Sequence, residues 1–426
     1  MKTIFALATA HGRAGVAVVR ISGPQASAVA GKLMVDVPQK RGLRQLLDRD
    51  GGHLDSALVL RFPKGASFTG EEVIELHLHG SIAVVSAVLS TLSEDPDARM
   101  ANAGEFTQRA LSNGCLDLAQ VEGLADLIDA ETEAQRRQAL RMLSGALGDL
   151  AEGWRQKLLR AAALIEATID FADEEVPVDV SPEVRSLLID VRAELQKQSA
   201  GVIAAERVRQ GFEVAIVGAP NVGKSTLLNR LAGRDAAITS AIAGTTRDVI
   251  EVKMEIAGLP VTFLDTAGLR ETDDEIESIG VTRAIERAEN ADLRIYMLLP
   301  DQKLEIDLDE DDLIVMGKID SGTASPIGVS GITGNGIDAL VALIQDRLSA
   351  KVSGIGVAIR ERHRVAMLRA SERLDVVMDQ MSDTDFLADI VAEELRDAIR
   401  AVDSLVGRID VEDVLGEIFS SFCIGK

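Results

Sequence analysis

The sequence predicts a multidomain protein of the α/β and α classes, with an α+β N-terminal domain, a discontinuous helical domain and an α/β domain inserted into the helical one. Its 426 residues exceed what one ordinary hydrophobic core accommodates. The apolar pattern changes to helix near Leu118, to a buried strand at Phe212, and back to helix after about Ala350. The predicted segments are residues 1–117 (α+β), 118–210 (helical), 211–350 (α/β) and 351–426 (helical).

The composition excludes several classes of protein. Two cysteines, Cys115 and Cys423, are too few for a disulfide framework or a multi-cysteine zinc site. The longest apolar runs, such as Val214–Val217, are far shorter than a membrane span, and the N-terminus lacks a signal-peptide pattern. We therefore expect a cytoplasmic protein. Because a net charge of −23 does not attract nucleic acid, an RNA substrate would need a local basic face or a partner protein.

In the N-terminal segment, strand and helix signals alternate. Val16–Ile21 and Val73–His79 are apolar or alternating runs bounded by glycines, which predicts strands. Ser22-Gly23-Pro24 predicts a turn followed by a helix, and Gly104-Glu105-Phe106 opens another helical stretch. This mixture predicts an α+β domain.

Helical spacing dominates the second and fourth segments. Apolar residues three and four apart predict one helix face in each segment. The first face comprises Leu140, Leu143, Leu147, Leu150 and Trp154, and the second comprises Leu395, Ile399, Val402 and Val406. An acidic, proline-containing break is expected at Ala172–Pro182, with a helix following to about Arg209. Helical stretches on both sides of an insert can pack together as one domain.

The third segment opens with a phosphate-binding pattern. Gly218-Ala219-Pro220-Asn221-Val222-Gly223-Lys224-Ser225 matches G-x-x-x-x-G-K-[ST] between a predicted strand and a helix at Thr226–Leu231. Backbone N–H groups of such a loop face phosphate oxygens, and the helix N-terminus adds positive potential. Lys224 is expected to reach the β- and γ-phosphates and Ser225 to ligate Mg²⁺. The segment is thus predicted to be a P-loop GTPase domain of the Ras-like α/β type.

Two downstream motifs extend this site. Asp265-Thr266-Ala267-Gly268 follows an apolar strand, where the carboxylate can hold the Mg²⁺ shell and Gly268 can sense the γ-phosphate. Thr246 is placed to ligate Mg²⁺ and close the first switch, although a helix cap or turn would also explain it. The residues expected to bind GTP are Asn221, Val222, Gly223, Lys224, Ser225, Thr226, Ser240, Ala241, Ile242, Ala243, Gly244, Thr245, Thr246, Asp265, Thr266, Ala267, Gly268, Lys318 and Asp320.

The base-recognition motif departs from the usual N-K-x-D. It falls at Gly317-Lys318-Ile319-Asp320, with glycine in place of asparagine. Lys318 can still cover the base, and Asp320 can accept two hydrogen bonds from guanine that adenine cannot supply. Ser330-Gly331 stands where a Ser-Ala pair commonly backs the base. Guanine preference is therefore expected, with weaker nucleotide binding or a looser loop.

Two further features narrow the GTPase class. Asn221 and the extended loop Ser240–Thr246 resemble GTPases that bind K⁺ beside the phosphates, where the ion supplies positive charge. The expected K⁺ ligands are Asn221, Ser240, Ile242 and Thr245. The alternative is that Asn221 only stabilises the loop. No glutamine follows Gly268, so Glu277 is the candidate for orienting the attacking water; a solvated surface acid is the alternative.

The order of motifs along nearly the whole chain resembles the MnmE (TrmE) family of tRNA wobble-uridine modification GTPases. The motifs are Thr3–Ala6, Gly15–Pro24, Phe68–Leu76, Gly104–Thr107, Leu116–Gln120, Ala125–Ala130, Asp170–Glu175 and the terminal Phe422-Cys423-Ile424-Gly425-Lys426. The terminal motif is the most diagnostic.

The resemblance implies a folate-binding and dimerising N-terminal domain, with a 5-formyl- or 5,10-methylene-tetrahydrofolate as one-carbon donor. It implies a homodimer, a heterotetramer with the FAD-containing MnmG (GidA) flavoprotein, and carboxymethylaminomethyl addition at C5 of uridine 34 of certain tRNAs. By the same resemblance, Glu277 and Cys423 are catalytic and the folate contacts are Arg20, Glu75 and Lys426. A surface cation, a solvent-facing strand acid and an incidental cysteine are the alternatives for Arg20, Glu75 and Cys423.

Some positions depart from the family pattern. Cys115 stands where a lysine is usual, which removes an expected folate contact, and Ala103 replaces a usual proline. A basic cluster on helical sequence after the GTPase domain could contact tRNA or a partner, or be a solvated helix face. It comprises Arg360, Arg362, His363, Arg364 and Arg369.

Two other functions fit parts of this pattern. A regulatory GTPase that assists ribosome assembly would share the GTPase domain but would be expected to carry a basic RNA-binding appendage. A folate-binding module whose GTPase domain only controls dimer opening would bind folate without modifying tRNA.

Overall fold

The computed structural model describes most of the chain, in two compact units. The described residues are 2–170, 180–234, 251–265, 286–287, 289–299, 308–319, 327–352, 354–382, 386–409, 418–419, 422 and 425. The first unit comprises Met1–Ala125, Leu143–Glu152 and Asp403–Lys426, and the second comprises Asp126–Met142 and Gly153–Val402. The four segments expected from the sequence stay a prediction.

The N-terminal part of the first unit is a six-stranded mixed sheet in the order β3-β4-β5-β2-β1-β6. The strands are β1 Thr3–Leu7, β2 Val16–Ser22, β3 Arg41–Leu47, β4 His53–Phe62, β5 Val73–His79 and β6 Ala98–Met100. Its helices are α1 Ala26–Gly31, α2 Ile82–Ser93 and α3 Glu105–Ser112. Both strands, the turn and the helix opening at Gly104 that the sequence predicts are present, with β2 ending at Ser22.

Strand β1 is buried on both faces, because apolar residues alternate toward two cores. Phe5 and Leu7 belong to the larger core on one face of the sheet. Ile4 and Ala6 pack with Phe106 of α3 on the other face. Arg20 on the neighbouring β2 is opposite Ala6 in the register, which places its side chain on the Phe106 face.

Nine further helices are described along the rest of the chain. They are α4 Leu118–Asp129, α5 Glu133–Leu143, α6 Ala146–Asp170, α7 Ser181–Ala200, α8 Val202–Gln210, α9 Lys224–Ala232, α10 Ile337–Lys351, α11 Glu361–Gln380 and α12 Ala388–Leu405. Helix α7 packs along α11, so helices from both sides of the inserted segment are in contact. Buried Leu188 and Leu195 of α7 and Leu374 of α11 belong to the apolar stripes that make this packing possible.

One predicted helix face is correct and the other is wrong. The face that contains Leu395 and Val402 is buried as expected. The face predicted from Leu140 to Trp154 crosses a break at Ser144-Gly145 between α5 and α6, so its spacing does not describe a single helix. Leu140 is 39% exposed, and the neighbouring Met142 is buried instead.

The inserted α/β part of the second unit is a six-stranded sheet in the order β12-β11-β10-β7-β9-β8. Its strands are β7 Phe212–Gly218, β8 Glu251–Ile256, β9 Leu259–Asp265, β10 Leu293–Leu298, β11 Leu313–Met316 and β12 Ile327–Gly328. All neighbouring pairs are parallel except β8 with β9. The parallel strands carry near-continuous apolar runs because both faces are covered. This confirms a mixed α/β fold.

Candidate functional site

The phosphate-binding loop connects the end of β7 to the start of α9. Asn221 and Gly223 have φ angles of 61° and 116°, and these left-handed conformations let the loop curl. A Cβ at Gly218 would lie 2.5 Å from the carbonyl oxygen of Met297, so only glycine fits beside β10. The helix N-terminus at Lys224 therefore points its free N–H groups into the concavity of the loop.

Lys224 is folded back onto the loop that carries it. The residue is 4% exposed, and its ammonium group donates hydrogen bonds to the carbonyl oxygens of Gly218 (2.5 Å) and Ala219 (3.1 Å). Burial lowers the pKa of Lys224, and the nearby Asp265 carboxylate opposes that shift. The loop thus keeps a cation at the position where phosphate charge would be bound.

Ser225 and Asp265 are brought together by the parallel pairing of β7 and β9. Ile216 is paired with Asp265 at the carboxyl end of β9, which puts the carboxylate beside the first turn of α9. The Ser225 hydroxyl donates a 2.9 Å hydrogen bond to Oδ2 of Asp265. Two adjacent oxygen donors suit Mg²⁺, which prefers hard oxygen ligands. The magnesium site expected from the sequence stays a prediction.

The loop that the sequence predicts to recognise the base begins at Gly317, directly after β11. The Gly317 N–H donates to the carbonyl oxygen of Leu298 (2.8 Å), and the Ile319 N–H donates to that of Val329 (3.2 Å). Lys318 has a φ angle of 60°, an uncommon conformation for a residue with a side chain. Ser330 accepts a 3.1 Å hydrogen bond from the Thr333 N–H, which fixes the second of the two loops expected on the base side, the one that carries Ser330-Gly331.

Several predicted site residues lie outside the described residues. For the nucleotide and its ions these are Ser240, Ala241, Ile242, Ala243, Gly244, Thr245, Thr246, Thr266, Ala267, Gly268, Glu277 and Asp320. For the folate and the modification chemistry they are Cys423 and Lys426. Their roles stay predictions.

Arg20 and Glu75, both expected to contact folate, are bonded to each other. They are directly opposite on β2 and β5, and Arg20 Nε donates a 2.9 Å hydrogen bond to Glu75 Oε1. The Arg20 guanidinium also lies 5.8 Å from the ring centre of Phe68 and 5.7 Å from that of Phe106. The structure therefore defines a cation, a carboxylate and two aromatic rings on one face of the sheet.

A partly buried ionic network beside this face was not predicted from the sequence. Glu105 accepts hydrogen bonds from Arg99 (2.6 Å) and from Arg109 (3.0 Å), and Arg109 also donates to Glu71 (2.9 Å). The Ser22 hydroxyl donates to the same Glu71 carboxylate at 2.8 Å. In the sequence, Glu71 and Glu105 stand out only as members of family motifs. A motif does not indicate which side chains bond to these carboxylates.

The described C-terminal residues pack against the N-terminal part of the first unit, to which they belong. Phe419 is packed so closely on Gly104 that a Cβ there would be 2.8 Å from its ring. Gly425 lies against the Leu7 carbonyl at the end of β1, where no Cβ would fit. Gly425 is therefore next to β1, the strand that pairs with β2.

The basic cluster is not one continuous solvated face. His363 is fully buried, and its Nδ1 accepts hydrogen bonds from the backbone N–H groups of Ile359 and Arg360 (both 3.3 Å), which caps α11. Arg360 forms an ion pair with Asp126, and Arg364 forms one with Glu361. The assignment of His363 to an exposed basic surface was wrong, because capping the helix uses its ring.

Within the part of the chain that the structure describes, no group of three or more His, Cys, Asp or Glu side chains could hold a metal ion. None of the helices among the described residues is long and apolar enough to cross a membrane.

A glycine-rich loop between β7 and α9, with an aspartate at the end of the adjacent parallel strand, defines the class: this is a P-loop nucleotide-binding protein. Lys224 at the loop and the Ser225–Asp265 pair beside it are residue types that hold phosphate and Mg²⁺ in proteins of this class.

Comparison with known proteins identifies the family. The family model "GTP-binding protein TrmE N-terminus" matches residues 3–115, and "MnmE helical domain" matches residues 118–423. The tRNA modification GTPase MnmE of Roseobacter denitrificans is 61% identical over 428 residues, and that of Cereibacter sphaeroides is 59% identical over 430 residues. Both alignments cover 100% of this chain and 100% of the relative. The chain belongs to the MnmE (TrmE) family of tRNA modification GTPases, and the predicted enzyme class, GTP hydrolase, is confirmed with it.

A solved structure also resembles part of the chain. Era in complex with MgGDPNP and nucleotides of 16S ribosomal RNA is 31% identical, covering 32% of this chain and 56% of its own. Its TM-score is 0.25, too low for the likeness to carry an argument about this protein.

Proposed function

We propose that the protein is a K⁺-dependent GTPase that works with a flavoprotein partner on tRNA. Together they would add a carboxymethylaminomethyl group to C5 of the wobble uridine at position 34, using a folate one-carbon donor. The observation that carries the proposal is the phosphate loop with Lys224 and the Ser225–Asp265 pair, in a chain of this family. We expect it to act in the cytoplasm, because its tRNA substrate is there.

The residues of the phosphate loop would divide the work of binding GTP. Backbone N–H groups and Lys224 would hold the phosphates. To reach them, the Lys224 ammonium group would leave the Gly218 and Ala219 carbonyls, to which it donates in this structure. Ser225 and Asp265 would hold Mg²⁺, which neutralises charge on the phosphates. Lys318 and Asp320 would select guanine.

Support for K⁺ comes from the loop at Asn221. Its left-handed conformation turns the loop at the residue whose side-chain oxygen would be a ligand. The remaining ligands would come from Ser240, Ile242 and Thr245. The ion supplies positive charge beside the phosphates, a role that an arginine has in other GTPases. Glu277 would orient the attacking water.

Support for folate comes from the face of the N-terminal sheet that carries Arg20. A guanidinium suits the folate glutamate, a carboxylate such as Glu75 suits the amino-pyrimidine edge, and Phe68 is exposed enough for ring contact. Gly425 lies at the end of β1, and Cys423 and Lys426 are its near neighbours in the sequence. We expect Cys423 to act in the modification chemistry.

The proposed assembly is a homodimer that joins the FAD-containing MnmG (GidA) flavoprotein in a heterotetramer. The net charge of −23 favours an assembly with a partner protein, because this acidic chain attracts tRNA poorly and the partner would supply much of the attraction. The FAD would be the partner's cofactor, whereas this chain would supply GTP hydrolysis and folate binding.

Mass spectrometry of tRNA nucleosides from cells with and without the gene tests the proposal. Loss of the carboxymethylaminomethyl group at the wobble uridine, restored by the gene on a plasmid, is the expected result. An unchanged nucleoside profile would contradict it and direct attention to ribosomal subunits, where an assembly GTPase would act.

A further inference from the structure

The glycine that replaces asparagine in the base-recognition motif touches the phosphate loop directly. A Cβ at Gly317 would lie 2.8 Å from the carbonyl oxygen of Val222 and 3.1 Å from Cε of Met297. A real Cβ essentially never comes within 3.0 Å of another heavy atom, and a backbone carbonyl cannot rotate away as a side chain can. The Gly317 N–H is bonded to the Leu298 carbonyl, which holds the loop in this place.

Gly331, in the second loop on the base side, makes the same kind of close contact with Thr226 of α9. At Gly331, where the usual motif has alanine, a Cβ would lie 2.8 Å from Cγ2 of Thr226 and 2.9 Å from its backbone carbon and oxygen. Ser330 is buried beside it and is bonded to Thr333, so this loop is also fixed. Both departures from the usual base-site motifs are therefore places where backbone lies on backbone.

The two contacts bracket the residues that bind phosphate and metal. Val222 precedes Lys224 by two positions, and Thr226 directly follows Ser225. A side chain at either glycine would push the segment from Val222 to Thr226 away from the base-side loops. Packed interiors transmit such shifts instead of absorbing them.

We propose that Gly317 and Gly331 are positioning residues that set the distance between the guanine side and the phosphate side of the nucleotide site. In this chain the base-side loops are seated on the phosphate loop by backbone contact, where the usual motif places an asparagine side chain. Restoring the usual residue, Gly317→Asn, would therefore weaken nucleotide binding. The inference rests on nucleotide binding at this site and is independent of folate, tRNA and the flavoprotein.

Titration of the full-length protein with a fluorescent GDP analogue tests the proposal. Gly317→Asn is expected to raise the dissociation constant about tenfold or more, a factor that corresponds to about 1.4 kcal/mol. Gly317→Ala and Gly331→Ala add only the Cβ and are expected to weaken binding by at least about threefold, in line with overpacking of a tight contact. The Mg²⁺ concentration for half-maximal GTP hydrolysis should rise in all three variants, because Ser225 moves relative to Asp265.

Gly233→Ala is the matched control. It lies at the end of α9 with ordinary negative φ, and its added Cβ would be 3.5 Å from the nearest atom. Its GDP affinity and Mg²⁺ requirement should equal those of the wild type. Equal or tighter GDP binding by Gly317→Asn, or unchanged Mg²⁺ dependence in both alanine variants, would overturn the proposal. If Gly317→Asn does not fold, the two alanine variants decide. A wild-type protein that binds no GDP would instead refute the GTPase assignment.

Discussion

The hydroxyl of Ser225 donates a 2.9 Å hydrogen bond to Oδ2 of Asp265, joining the first turn of α9 to the end of β9. The bond exists because β7 and β9 are parallel neighbours whose carboxyl ends meet at one edge of the sheet. It holds together two side-chain oxygens from motifs 40 residues apart in sequence, the pair proposed to hold Mg²⁺. The first prediction follows from this pair.

Asp265→Asn should lower kcat/KM for GTP about 10- to 100-fold, the usual range for residues that orient a metal site. The amide removes the negative charge but keeps the size, so the protein should fold normally. Asp338→Asn is the control, because its side chain is 91% exposed and lies in the same α/β part. Equal losses in both variants would argue against a metal role for Asp265.

Asn221→Gly should abolish the advantage of K⁺ over Na⁺ in GTP hydrolysis, because the side-chain ligand is lost. Glycine is preferable to alanine here, since φ at position 221 is 61° and a Cβ in that conformation costs about 1 kcal/mol. Initial rates in KCl and NaCl at equal ionic strength give the ratio. An undiminished ratio would leave Asn221 with only a structural role in the loop.

Glu277→Ala should leave GTP affinity unchanged and slow hydrolysis by at least about tenfold, as expected for loss of a group that positions the water. Glu275→Ala, an acidic residue two positions away in the sequence, is the control and should hydrolyse GTP at the wild-type rate. Single-turnover assays separate hydrolysis from binding. If both variants hydrolyse GTP at the wild-type rate, Glu277 is a surface acid without a role in hydrolysis.

Arg20→Ala should weaken binding of 5-formyl-tetrahydrofolate at least about tenfold, because a charge-assisted contact is removed. Arg41→Ala is the control, since Arg41 is an exposed arginine on β3 of the same sheet. Isothermal titration calorimetry measures both affinities. Unchanged affinity in Arg20→Ala, or an equal loss of affinity in both variants, would contradict the assignment of Arg20.

Glu105→Gln should destabilise the N-terminal sheet at neutral pH. Burial tends to raise the pKa of Glu105, but hydrogen bonds from Arg99, the Asn102 N–H and Arg109 outweigh it and lower the pKa below the ordinary 4.5. A lowered carboxylate pKa stabilises the fold above the unfolded value of about 4.5, and this stabilisation disappears as pH falls through the folded pKa. The cost at pH 7 should be about 2 kcal/mol, as for hydrogen bonds to buried charged groups.

Hydrogen exchange of peptides from residues 98–112 measures this effect locally. The difference between Glu105→Gln and the wild type should shrink as the pH falls below 4.5. Glu94→Gln is the control, because its ion pair with Arg49 is about half exposed on both sides and contributes little. A difference that does not depend on pH would show that the charge of Glu105 is not responsible.

Local motifs allowed much of the fold and site to be predicted. The phosphate loop, the aspartate ending β9 and the helix at Gly104 depend on neighbouring residues, so the sequence indicates them directly. The prediction of one helix face from Leu140 to Trp154 was wrong, because the helical spacing of apolar residues continues by chance across Ser144-Gly145.

Tertiary contacts account for what could not be predicted. His363 is buried because its ring caps α11, which composition does not indicate. Gly317 is recognisable as a departure from a motif, but its contact with Val222 depends on how two loops meet. The same holds for the bond between Arg20 and Glu75, which requires the pairing of β2 with β5.

In the proposed function, nucleotide bound at the phosphate loop drives modification of the wobble uridine. Mass spectrometry of tRNA nucleosides in a deletion strain carrying either the wild-type gene or Lys224→Ala tests it most directly, with protein levels matched by immunoblot. The wild-type gene is expected to restore the carboxymethylaminomethyl group, and Lys224→Ala is expected not to restore it. Full restoration by Lys224→Ala would contradict the account, because the modification would then proceed without the residue that holds the phosphates.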